Sequence, residues 1–197
     1  MSKLEFFNVF QAIIYGLAVA EVLMLINRMI REYEKIKFYW AHLALIVAGL
    51  LFCVQWYVHG LRALDLNYVS TPIEFIFFNL LIPSCFYVIG HQITPPKSEY
   101  DFEHYLLTNR KKIFLPILVY AITVSLINYL TWLDIMNAHF MSWEFEIIFH
   151  AVIVQSLFVL GTVLVIVSTK KWVLELMITV ALIYSIYIAT NYQIVDI

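Results

Sequence analysis

Long apolar runs separated by short polar clusters organise this chain of 197 residues. Six runs can be read, at roughly 6–28, 38–59, 72–93, 113–135, 142–168 and 172–190. About 20 apolar residues in a helix cross a hydrocarbon core ~30 Å thick, so the pattern predicts six membrane-spanning helices. Too little is left between them for a soluble domain. Residues 1–197 are therefore expected to form one all-α, polytopic transmembrane helical bundle.

Three of the runs open alike. Glu5-Phe6, Glu74-Phe75 and Glu144-Phe145 are spaced 69 and 70 residues apart. Ser2 and Thr71 stand three residues before their glutamates, the capping-box spacing in which hydroxyl and carboxylate reciprocally satisfy orphan backbone donors. Pro72 adds a residue favoured at the first helical position, and Ser142 with Glu144 is a looser version. Helix starts are the simpler reading. The spacing also allows three helical-hairpin repeats of about 70 residues, since "EFFNVFQAII" and "EFEIIFHAVI" share Glu, Phe, Phe, Ala and Ile in register.

Composition agrees with a lipid solvent. Hydrophobic residues make up 63% and charged residues 13%, with mean hydropathy +0.85, against about a quarter charged in soluble domains. The charges are placed asymmetrically. Arg28, Arg31, Lys35 and Lys37 fall in the first connection, Lys97, Arg110, Lys111 and Lys112 in the third, and Lys170 and Lys171 in the fifth. Only Lys3 and Arg62 remain for the other side. Positive charge stays inside, so these connections are expected in the cytoplasm and both termini outside. With no n-region or cleavage site, the first helix reads as retained. A net charge of −2 gives no ground for direct nucleic-acid binding. Cys53 and Cys85, at different depths, read as packed thiols.

Ionisable residues inside an apolar span are functional candidates by default. Glu21 is the foremost, toward the cytoplasmic third of the first helix, with Arg28 two turns further along the same face and His42 at comparable depth. A structural pair and a functional site are equally open for it. Gln55 with His59, and Glu146 with His150, share faces at i,i+4; they could line a hydrated path, or tie helices together in the core. Ala12, Gly16 and Ala20, with Ala44 and Ala48, form small-residue stripes that let helices approach closely. The first stripe would turn the adjoining Glu21 toward protein and permits a homo-oligomer.

The segment 94–112, "TPPKSEYDFEHYLLTNRKK", is the longest connection. Pro95-Pro96 should stop the third helix, and Ser98 with Asp101 should start a new one. Phe102, Tyr105 and Leu106 give that helix an apolar face suited to lying along headgroups. It reads as a connector with basic anchors, or as a docking surface for a cytoplasmic protein through Asp101, His104, Asn109 and Arg110.

Motifs for nucleotide, metal, thiol-redox and serine-hydrolase chemistry are absent, and no cofactor or metal is expected. Haem would need paired histidines at matched depth, which His42, His59 and His150 do not offer. "FYWAHL", Gln55-Trp56 and the prolines before "HYLLTNRKKIF" resemble small bacterial polytopic membrane proteins, over most of the chain. In size and topology the chain is similar to the membrane accessory proteins encoded beside type VI-B CRISPR effectors. That resemblance implies a non-enzymatic accessory or effector in antiviral defence, partnered by an RNA-guided nuclease, which forms or modulates a polar path. An ion- or proton-coupled transporter using Glu21 is the alternative, ahead of a membrane enzyme or b-type haem protein.

Overall fold

A computed structural model describes residues 3–65, 72–137 and 143–191. Side chains are described within these except at 59–65, 72–79, most of 127–137, 143–151 and a few near the two ends. The described residues form six helices and no strand: α1 (Lys3–Arg31), α2 (Trp40–Asp65), α3 (Pro72–Ile93), α4 (Phe102–Asn137), α5 (Trp143–Val167) and α6 (Lys171–Asn191). Three carry segments long and apolar enough to cross a membrane, Asn8–Arg31, Trp40–Val58 and Lys171–Thr190.

On α1 the buried side chains are Gln11, Tyr15, Ala18, Val22, Leu25 and Met29, recurring every three or four residues as one helix face does. The other face is also apolar, with Val9, Ile13, Leu17, Leu23, Met24 and Ile30 exposed. In water such a surface would cost about 25 cal/mol per Å²; against lipid it costs nothing comparable. Helix packing closes a ring in the order α1, α3, α4, α5, α6, α2 and back to α1. Helix α2 leans inward and also touches α3 and α4. Among the described residues, the packing of α1 on α3 has no counterpart of similar extent between α3 and α5.

Two other expectations change. The predicted connector helix is not a separate element: Phe102 begins one helix of 36 residues that continues through Pro116 to Asn137, ~54 Å long at 1.5 Å per residue. Its early apolar face is covered by protein, not headgroups, since Phe102 and Leu106 are buried and the Phe102 ring lies 4.8 Å from that of His42. Its cap is Asp101, not Ser98, because Asp101 Oδ1 accepts the His104 N–H at 2.9 Å. The Ala12/Gly16/Ala20 stripe faces outward, and a side chain at Gly16 would meet nothing. Burial went to the larger Tyr15, Val22 and Leu25, which fill more space against α2 and α3. Close approach occurs at Gly90, where a Cβ would stand 3.1 Å from the Ala18 carbonyl oxygen. The Ala44 and Ala48 stripe is buried as expected.

Candidate functional site

The connections 32–39 and 94–101 meet at one end of the ring, with the starts of α4 and α6 beside them, and Arg28 joins the two connections. Its Nη1 donates to the carbonyls of Pro95 at 2.8 Å and Pro96 at 2.9 Å. Nη2 donates to those of Lys97 at 3.2 Å and Glu99 at 2.6 Å, and Nε to Glu32 Oε2 at 3.3 Å. All five guanidinium N–H groups are thus used. The Tyr100 ring lies against the same group, its centroid 5.4 Å away. The local sequence explains the arrangement. Prolines 95 and 96 end α3 and cannot donate, so the segment after them curls its carbonyls toward one cation.

A second tie joins the approach to α2 with the start of α4. Lys37 N donates to Tyr100 O at 2.8 Å, Phe102 N to Lys37 O at 3.2 Å, and Lys37 Nζ to Asp101 Oδ2 at 2.7 Å. A third involves α6, where Lys171 Nζ reaches Glu103 Oε1 at 2.6 Å and Glu175 Oε1 at 3.8 Å. Glu175 also accepts from the Tyr39 hydroxyl at 2.8 Å. Burial, and then this carboxylate, push the Tyr39 hydroxyl's pKa up. His42 Nε2 lies 2.7 Å from the Ile93 carbonyl oxygen, so Nε2 carries the ring proton. The Tyr105 hydroxyl donates to the Gln92 carbonyl at 2.8 Å, and burial raises its pKa.

Asp101 is held below the ordinary 3.8 first by the His104 N–H and then by Lys37. Lys37 is held above the ordinary 10.5 by its hydrogen bond to Asp101. The depressed carboxylate contributes stability that is complete above its unfolded pKa and lost as pH falls through the folded one. The raised amine contributes below its unfolded pKa and loses that contribution as pH climbs through the folded one. This tie is therefore expected to be constant between about pH 5 and 9. Asp101→Asn, which keeps a capping oxygen, should lower thermal stability less than Asp101→Ala. It should also remove Asp101's share of the acid-limb dependence expected of wild-type melting.

The intramembrane candidates separate. Glu21 does not pair with Arg28 or His42: those are taken by the 95–99 carbonyls and by Ile93, and Glu21 Oε1 lies 3.5 Å from His91 Nδ1 on α3. The glutamate side chain is 21% exposed and the histidine 64%, so the pair lies in the outer groove between α1 and α3. Gln55 Nε2 donates to the Ser185 carbonyl at 2.9 Å and ties α2 to α6. The side chains of His59, Glu146 and His150 lie outside the described residues. Of the docking candidates, Asp101 is occupied as above and Asn109 Nδ2 donates to the Tyr105 carbonyl at 3.1 Å. His104 is exposed and Arg110 half-buried.

Sequence reasoning missed His91 as the partner of Glu21 and Tyr39 as that of Glu175. It also missed Trp56, whose Nε1 donates to the Tyr120 hydroxyl inside the ring. Only for Tyr39 was there a signal, its place beside a helix start. Within the ring a cavity of about 40 Å³ is lined by apolar side chains including Phe52, Phe86, Phe114 and Phe158, with Tyr120. Apolar cavities of this kind stay dry. Among the described residues no three His, Cys, Asp or Glu side chains gather to hold a metal ion, and Cys53 and Cys85 are free and buried. Compared with known proteins, the chain matches no family model, no curated protein and no solved structure.

Proposed function

We propose that this chain is a non-enzymatic accessory protein of a bacterial inner membrane, spanning it six times with both termini outside. Its working surface is the basic end, where a cytoplasmic protein docks. The resemblance in size and topology makes that partner an RNA-guided nuclease and the setting antiviral defence. One observation carries the reading. Two connections distant in sequence and the starts of α4 and α6 are tied into one polar platform by Arg28, Lys37–Asp101 and Lys171–Glu103. Order made in advance lowers the entropy cost of binding, and Lys97, His104 and Lys170 remain exposed there. A polar path through the ring would require helices to part, since the interior cavity is apolar.

Lys97→Cys, in a chain whose Cys53 and Cys85 are replaced by serine, should resist impermeant thiol reagents in intact cells. A cysteine introduced near Ile197 should react. The reverse pattern would put the platform outside and end the docking proposal. A second reading, a proton-coupled transporter, is favoured by the Glu21–His91 pair within otherwise apolar helices. Proton-driven flux into liposomes that disappears in Glu21→Gln would replace the accessory reading with that one.

A further inference from the structure

We infer that Lys111 and Lys112 of α4, with Arg110 beside them, hold the phosphate of an anionic phospholipid drawn inward along the side of the bundle. The inference rests on the membrane reading above. Two contacts fix the level of these residues. Phe102 lies against His42 at 4.8 Å between ring centroids, and Tyr120 lies against Phe52 at 6.4 Å and Trp56 at 6.0 Å. The basic triplet therefore runs beside the part of α2 between His42 and Phe52, inside the apolar segment Trp40–Val58. Along α4 it is ~12–15 Å beyond Phe102, at 1.5 Å per residue.

Exposed tryptophans mark where the interface should lie. Trp40 and Trp172 begin α2 and α6 and are both exposed, the position such rings favour at headgroup level. Beyond them the outward surface is apolar within one turn, at Leu43 and Leu176. On α4 it becomes apolar only at Leu115, continuing through Val119, Ile122 and Leu126. Lys111 stands four residues before Leu115 on that same outward stripe. The surfaces on either side are already apolar: Val88 is exposed on α3 and Val167, 75% exposed, ends α5. The triplet is thus a basic island within an apolar belt.

Lysine and arginine in hydrocarbon are costly unless a counter-charge or water reaches them. Three other cations of this end have acidic partners, Arg28 with Glu32, Lys37 with Asp101 and Lys171 with Glu103, and the exposed Arg31, Lys35, Lys97 and Lys170 lie at or beside the connections, where water reaches them. Arg110, Lys111 and Lys112 have no ion pair among the described residues, although Lys111 and Lys112 are exposed. At this depth a soluble protein cannot reach them. A lipid phosphate can, and a net negative headgroup adds Coulomb attraction to three adjacent cations.

The test uses the purified full chain in micelles doped with equal amounts of phosphatidylglycerol and phosphatidylcholine, with bound lipid read by native mass spectrometry. Preferential retention of phosphatidylglycerol is expected. Lys111→Gln/Lys112→Gln should weaken it about 25-fold, two basic residues at ~1 kcal/mol each. Lys111→Arg/Lys112→Arg should retain it. Lys35→Gln/Lys97→Gln, which removes two charges at the connections, should weaken it by less than about threefold if binding is local. Equal retention of the two lipids, or equal loss in both glutamine pairs, would overturn the site. Displacement by millimolar glycerol phosphate would assign it to a soluble phosphate. Release of the chain from membranes by alkaline carbonate would sink the membrane reading itself, whereas a chain that stays but shows no lipid preference sinks only this inference.

Discussion

Replacing Arg28 by methionine should lower thermal stability more than any other single change at the basic end, by about 3 kcal/mol. Its side chain is only 12% exposed, and four backbone carbonyls converge on it. Methionine fills the volume but leaves those acceptors without a donor. Arg28→Lys tests what kind of group is needed. Lysine keeps the charge but has three donors instead of five, on a point rather than a fork, so it should recover less than half of the loss. Full recovery with lysine would mean that charge alone matters. Limited proteolysis offers an independent check, since the 94–101 segment should become susceptible in Arg28→Met before the helices do.

Gly90→Val should destabilise the packing of α1 on α3, where backbone rather than a flexible side chain stands in the way. A Cβ there stands 3.1 Å from the Ala18 carbonyl oxygen and 3.7 Å from Glu21 Cβ, so the added methyls of valine must push α1 off α3. Overpacking of this kind costs about 1–3 kcal/mol. The displacement would also widen the Glu21–His91 separation, now 3.5 Å. Gly16→Val on the outward face of α1, where nothing lies within 4 Å, is the matched control and should leave melting unchanged. If both variants melt like wild type, α1 and α3 do not pack as described.

What could be read in the sequence was whatever depends on run length and charge sign. The helices fall close to the apolar runs, and the three basic connections do gather at one end. Neighbour choice was not readable. Outward and inward faces of α1 are both apolar, so nothing in Ile13 or Leu17 distinguishes them from Tyr15 or Val22. For the same reason the Ala12/Gly16/Ala20 spacing suggested a contact that side-chain volume assigned to another face. Glu21 lost its expected partners through competition: two turns along one helix brings Arg28 near in sequence terms, but the carbonyls of Pro95, Pro96, Lys97 and Glu99 claim four of its donors and Glu32 the fifth. The start of α4 was off by three residues because Ser98 and Asp101 are both good caps, and Lys37 selects between them by pairing with Asp101.

The ring order has a consequence for synthesis. Helix α2 is made early, yet one of its principal neighbours is α6, made only after α3, α4 and α5. Similarly α1 packs mainly on α3 rather than on its own hairpin partner. The α1–α2 pair inserted alone cannot bury the surfaces it will finally bury, whereas α4 and α5 can pack as a hairpin. Until α6 is made, α2 must wait in the bilayer with the face that holds Gln55 turned to lipid or to a chaperone. The bond from Gln55 to Ser185 can form only once α6 has been made. Closure of the ring is then a late, all-or-none step, and non-local contacts of this kind make such steps slow.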